Sequence, residues 1–208
     1  NINGNIIADA SLFGYTLQPP GYLWEDVGNY YGSGVSSLNI NENRIKITFQ
    51  SGQTIGSPTQ IIYTDFHPDS IEYINILTSG PKNSGDNAYI FSSPLQSKYV
   101  IIGTIPSERK EFTIYGANPN PAASYGYFLM KFLNHKEIQI NGNIKVKYSS
   151  DTINYTSFYT HLSPHIHKII ELINTNSHNM SSEAVFRSIA YLHKQQTDYK
   201  SASESITE

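Results

Sequence analysis

The chain has 208 residues, 38% of them hydrophobic, with 16 tyrosines, 9 phenylalanines, no cysteine and a formal net charge of −3. That length can bury a core without staples, and the missing cysteines exclude disulfides and thiolate metal sites. Fourteen scattered basic residues exclude the clustered cation patch of a nucleic-acid binder, and no apolar run reaches the ~18 residues of a membrane span.

The chain begins at Asn1, which reads as a trimmed chain or as a processed one whose export signal has been removed. Secretion is the expectation carried forward. Residues 11–28, SLFGYTLQPPGYLWEDVG, then place Phe13, Tyr15, Tyr22 and Trp24 around Pro19-Pro20. Aromatic residues about such a turn pack as a lid on a β core or line a binding surface. Tyr15, Tyr22 and Trp24 are the binding candidates.

Six short segments follow that alternate apolar and polar residues: 44–50, 59–66, 87–91, 98–105, 110–117 and 143–148. This period predicts strands. Turn residues such as Ser79-Gly80-Pro81, Asn118-Pro119-Asn120-Pro121 and Asn141-Gly142 separate them. A helical turn or two is predicted over 69–77, started by Pro68-Asp69-Ser70, and a short helix over Tyr125 to Asn134.

The end of the chain changes character. Ser163 as N-cap and Pro164 at the first helical position open a helix with Ile166, Ile169, Ile170 and Ile173 on one face. A polar break from Asn174 to Asn179 separates it from a second helix starting at Ser181 or Ser182. KSASESITE, the last nine residues, reads as a frayed tail. Strands followed by helices predict an α+β fold, a mixed and mostly antiparallel β core with short helices and a helical C-terminal segment. The expected division is a β-rich domain over 1–162 and a helical tail over 163–208.

Residues that could carry chemistry are few. His161, His165 and His167 lack the spacing and the carboxylate partner of a zinc site. Glu25 and Asp26 point apart in an extended chain. Glu183 and Arg187 are four apart on a predicted helix, which is ordinary for a surface ion pair. They also loosely resemble the active-site helix of ribosome-inactivating N-glycosidases, although that family places its Arg where Phe186 stands.

A broader resemblance starts at Leu12-Phe13-Gly14-Tyr15-Thr16-Leu17-Gln18-Pro19-Pro20, followed by Trp24 and Gly28. It is similar to the opening of the ADP-ribosylating toxins of the pertussis and cholera type, and shorter pieces follow in the same order to about residue 148. The resemblance implies a toxin-like subunit whose NAD chemistry has been lost. The family's Arg falls on Gly14, its strand on Tyr63-Thr64-Asp65, and its Glu on Lys131. A lysine beside a developing cation has the wrong sign. On this reading no catalytic residue and no cofactor are expected, and the chain leans away from being an enzyme. Residues 163–208 would dock on binding subunits, and a host protein or glycan would be the target. Two alternatives stay open: an active enzyme (an NAD-using transferase, or the N-glycosidase with Glu183 and Arg187), and a non-enzymatic recognition domain.

Overall fold

Chain alternation governs most of the architecture. The computed structural model describes residues 1–65, 71–151 and 155–207. Its strands are β1 (Ile6–Asp9), β2 (Arg44–Gln50), β3 (Gln60–Thr64), β4 (Glu72–Asn75), β5 (Thr78–Gly80), β6 (Asn87–Phe91), β7 (Lys98–Pro106), β8 (Phe112–Ala117) and β9 (Ile144–Lys147). Its helices are α1 (Trp24–Val27), α2 (Pro121–His135), α3 (Ile166–Asn176), α4 (Asn179–Lys194) and α5 (Tyr199–Thr207). Two 3-10 turns, Tyr30–Gly32 and Asn41–Asn43, lie before β2.

β2 sits between β3 and β8 with both pairings antiparallel. Ile45, Ile47 and Phe49 all point into the core, while Arg44 and Lys46 stay partly exposed and Thr48 is covered through its contact with Thr113. This is the period-2 pattern of a sheet with one face buried. A second sheet is built on β7, with β4 and β5 parallel to it along one edge and β6 antiparallel on the other. Ile90 of β6 and Tyr99, Ile101 and Ile105 of β7 meet Ile114 and the β2 side chains in one hydrophobic cluster. A third, two-stranded sheet pairs β1 parallel with β9. Ala8, Ala10 and Ala122 bring α2 close against it. The fold is α+β with mixed sheets, and the longer ladders are the antiparallel ones.

Five local expectations need correction. The 69–77 segment is not helical over its described part: 72–75 form β4, and the start signal at 68–70 lies outside the described residues. Ile71, Ile74 and Leu77 fit helical spacing, but β-branched and aromatic residues favour the extended chain, and Tyr73 packs on Tyr99. The helix predicted from Tyr125 starts at Pro121, because the Asn120 side chain accepts from the Ala123 N–H and Pro suits the first turn. α3 starts at Ile166 rather than after Ser163, and α4 at Asn179 rather than Ser181. The polar break between them is therefore only Ser177-His178. The frayed tail is α5, which packs on α4 and buries Ala202 completely.

Close backbone approach explains Gly28. A Cβ there would run into the carbonyl of Ile90, and its own C=O accepts from the Ala117 N–H. Gly28→Ala is expected to destabilise the fold by about 1–3 kcal/mol, the usual cost of forcing an extra carbon into a packed site. Urea unfolding with an unchanged slope would check it.

Candidate active site

Three backbone devices converge on one cavity of about 340 Å³. The first is the segment after Gly28. The buried Asn29 side chain accepts from the Ile90 N–H at 3.1 Å and donates to the Glu25 carbonyl at 2.6 Å. That clamp fixes the 3-10 turn and holds Tyr30 and Tyr31 edge-on at 5.3 Å over the cavity. Burial, then the neighbouring Asp26 carboxylate, pushes the Tyr31 phenol up, so it stays protonated at neutral pH.

The second device is a left-handed turn. Asn41, Glu42 and Asn43 have φ of 51, 55 and 49°, a conformation that L-residues adopt at a cost. Asn43 offsets it. Its fully buried amide donates to Gly34 O and to Asn39 Oδ1 and accepts from the Ile40 N–H. The turn puts the Glu42 carboxylate at the cavity, 3.3 Å from the Arg44 guanidinium, which lies over the Tyr115 ring.

The third is the break between α3 and α4. Ser177 caps α3 in the left-handed region, φ 49° and ψ 48°, with its N–H on the Ile173 carbonyl. α4 restarts two residues later, so Ser177-His178-Asn179 forms a tight corner facing the cavity. The Asn179 amide donates to Tyr31 O at 2.8 Å, leaving its oxygen and second N–H open. His178 Nδ1 lies 2.6 Å from Ser181 Oγ, and its Nε2 is 3.8 Å from Glu42. Ser177 is exposed, and its hydroxyl has no hydrogen-bond partner among the described residues. The corner therefore offers a free hydroxyl beside half of an amide, with a carboxylate and a guanidinium opposite. Such a set can bind a peptide group and move a proton.

None of Tyr15, Tyr22, Trp24, Gly14, Thr64, Lys131, Glu183 and Arg187 lines this cavity. Tyr15 stacks on Tyr148 at 4.6 Å. Trp24 is 60% exposed beside Phe91, and Tyr22 is half-buried. Gly14 turns the chain at φ 61°, Thr64 ends β3, and Lys131 is exposed on α2. The three lie on separate elements.

Glu183 and Arg187 both lie on α4. Burial pushes the Glu183 carboxyl above the usual range against the pull of Tyr199 and Arg187. Arg187 is 1% exposed and donates to the carbonyls of Thr197, Thr16 and Phe13. That face of the C-terminal helices packs on this chain's own aromatic N-terminal stretch. The Ser-His-Asn corner went unrecognised because it is three polar residues inside a run of Asn, Thr and Ser. Its one signal was its place between two apolar-periodic segments.

A family model described as the D-Ala-D-Ala carboxypeptidase 3 (S13) family matches residues 1–208. Penicillin-binding protein 4 from Haemophilus influenzae is similar in structure, with a TM-score of 0.75 and 17% identity over 98% of this chain and 45% of that one. The same protein complexed with a novel β-lactam gives a TM-score of 0.66 and 15% identity, over 99% and 43%. The chain thus spans less than half the length of these solved chains. The family match over the whole chain overturns the ADP-ribosylating-toxin resemblance and the toxin-like function built on it. The aromatic stretch around Pro19-Pro20 serves instead to receive Arg187 and to lead into α1.

Proposed function

The chain belongs to the D-Ala-D-Ala carboxypeptidase 3 (S13) family, and we propose that it contributes the Ser-x-Asn part of the active site of such a carboxypeptidase. Penicillin-binding proteins work with a Ser-x-x-Lys nucleophile, a Ser-Asp-Asn-type triplet and a Lys-Thr-Gly strand. Two Ser-x-Asn triplets occur here, Ser37-Leu38-Asn39 and Ser177-His178-Asn179. Ser37 and Asn39 are engaged internally: Ser37 Oγ donates to Ala10 O and accepts from the Phe13 N–H, and Asn39 bonds Ser36. Of the first triplet Leu38 alone lines a described cavity, a separate one beside β1 and α2, whereas Ser177, His178 and Asn179 all open into the cavity of about 340 Å³. That opening is the observation that carries the reading.

In this role the Ser177 hydroxyl, which bonds nothing among the described residues, passes a proton to the nitrogen of the departing D-alanine. Asn179 clamps a peptide group of the substrate with its remaining amide atoms.

The nucleophile is another matter. Ser79 with Lys82 and Ser107 with Lys110 have the Ser-x-x-Lys spacing. Ser79 is buried on β5 and accepts from the Gly52 N–H, while Lys82 is paired with Glu108. Ser107 is buried, and Lys110 is exposed just before β8. Neither pair lies on a helix or at the cavity, and there is no Lys-Thr-Gly run. The reading therefore places the nucleophile and the Lys-Thr-Gly strand in protein beyond these residues. A cell-wall substrate lies outside the cytoplasmic membrane, so export of the chain is part of the proposal.

Mass mapping of the intact protein after penicillin treatment tests this. One covalent adduct is expected, on a serine outside residues 1–208, blocked by excess peptide ending in D-Ala-D-Ala. An adduct on Ser79 or Ser107, or none on folded protein, would refute it.

A further inference from the structure

We propose that Glu42 is a positioning residue for the Ser177–Asn179 corner and acts through His178; this rests on the carboxypeptidase reading above. Two left-handed backbone segments, Asn41–Asn43 and Ser177, face the same cavity from opposite sides. Strained backbone of this kind persists where the surroundings over-determine it, and it clusters at functional sites. The surroundings here are specific. Asn43 is buried with its amide bonded at both ends, and its carbonyl accepts from the Asn118 N–H at 2.7 Å. The turn is thus pinned to the end of β8, and Glu42 at its middle is left facing outward into the cavity.

His178 is the group that Glu42 reaches on the far side. With Ser181 donating its hydroxyl proton to Nδ1, one of the two directions this contact allows, the ring's own proton lies on Nε2, the nitrogen 3.8 Å from the Glu42 carboxylate. At 3.8 Å this ring nitrogen and the carboxylate face each other beyond hydrogen-bond distance. The groups sharing the cavity with this ring are Glu42, Arg44, and the phenols of Tyr30 and Tyr31. Arg44 lies 3.3 Å from Glu42, so the carboxylate is held from one side by its own strand and faces the imidazole on the other. With the ring bonded to Ser181 at Nδ1 and facing Glu42 at Nε2, the residues on either side of it, Ser177 and Asn179, keep one orientation. Tyr31 O secures Asn179 from the third direction. Glu42 thus orients the hydroxyl that moves the proton without touching substrate.

The test is the acylation of the intact protein by a fluorescent penicillin, with the binding constant and the acylation rate resolved separately. Glu42→Gln and His178→Leu are each expected to lower the acylation rate roughly tenfold, within the range of measured couplings between residues in contact, with little change in binding. Because Glu42 acts through His178, the double variant is expected to be no slower than the slower single one. His178→Gln, whose amide reaches the position of Nε2, should recover most of the rate. Glu42→Gly separates positioning from stability: glycine favours φ 55°, so thermal stability should hold or rise while acylation slows. Single effects that multiply in the double variant, or a loss confined to binding, would overturn the proposal alone. Failure of the wild-type protein to react with penicillin would remove the carboxypeptidase reading and this one together.

Discussion

Arg187→Leu is expected to destabilise the protein by about 3–5 kcal/mol, from the loss of three hydrogen bonds to a charged group, each worth about 1.5–3 kcal/mol less what water recovers. The guanidinium donates to Thr16 O at 2.6 Å, Thr197 O at 2.7 Å and Phe13 O at 2.8 Å, and lies 4.2 Å from the centre of the Phe13 ring. Leucine would fill part of the volume and leave three carbonyls without their donor, that of Phe13 buried and those of Thr16 and Thr197 part-buried, and an orphaned buried group costs about 1–3 kcal/mol. Among the described residues it makes no ion pair within 4.0 Å. The loss therefore comes from the carbonyls rather than from a stranded carboxylate. Arg187→Lys is expected to fall between the two, because one ammonium cannot span three acceptors on two segments. Denaturant unfolding gives the magnitude. Hydrogen exchange should show the loss first at residues 13–17 and along α4 and α5. Since α4 begins at Asn179, loosening this anchor also loosens the Ser-His-Asn corner. Wild-type stability in Arg187→Leu would mean that the carbonyls find water, and that the helical end is held by α5 alone.

Ser177→Ala should do the reverse: stability within about 0.5 kcal/mol of wild type, and acylation by penicillin slower by roughly a hundredfold or more, the usual worth of a positioned proton-transfer group. Its hydroxyl bonds nothing among the described residues, so no internal partner is lost. The backbone at φ 49° is equally strained for serine and alanine. Ser37→Ala is the matched control. That hydroxyl bridges Ala10 O and the Phe13 N–H, so its removal should lower thermal stability and leave acylation nearly unchanged. The two substitutions together separate the catalytic Ser-x-Asn triplet from the structural one.

Much of the sheet was legible from alternation. RIKITFQ and NAYIF coincide with β2 and β6 because each presents one apolar face to the shared core. The 69–77 segment misled because apolar residues three apart suit either period. Its pairing partner is Lys98–Ile101, some 26 residues on in sequence, and no local window contains that. α5 was missed for a different reason. Ser201, Ala202 and Ser205 make its buried face, so it packs by close approach of small side chains rather than by an apolar stripe. The candidate site was the least legible part. Its polar triplet has a twin at Ser37, and the cavity and the hydrogen-bond partners tell them apart. Glu42 is an exposed acid until the left-handed turn around it is seen. The aromatic stretch with Pro19-Pro20 reads in sequence as a lid or a binding surface, whereas its Phe13 and Thr16 carbonyls hold Arg187.

Release of D-alanine from a peptide ending in D-Ala-D-Ala, by the intact protein and its Ser177→Ala variant, tests the central claim most directly. The account predicts steady release by the wild-type protein, and release slower by roughly a hundredfold or more from an equally stable variant. No release by folded wild-type protein, or equal rates from the two, would contradict it.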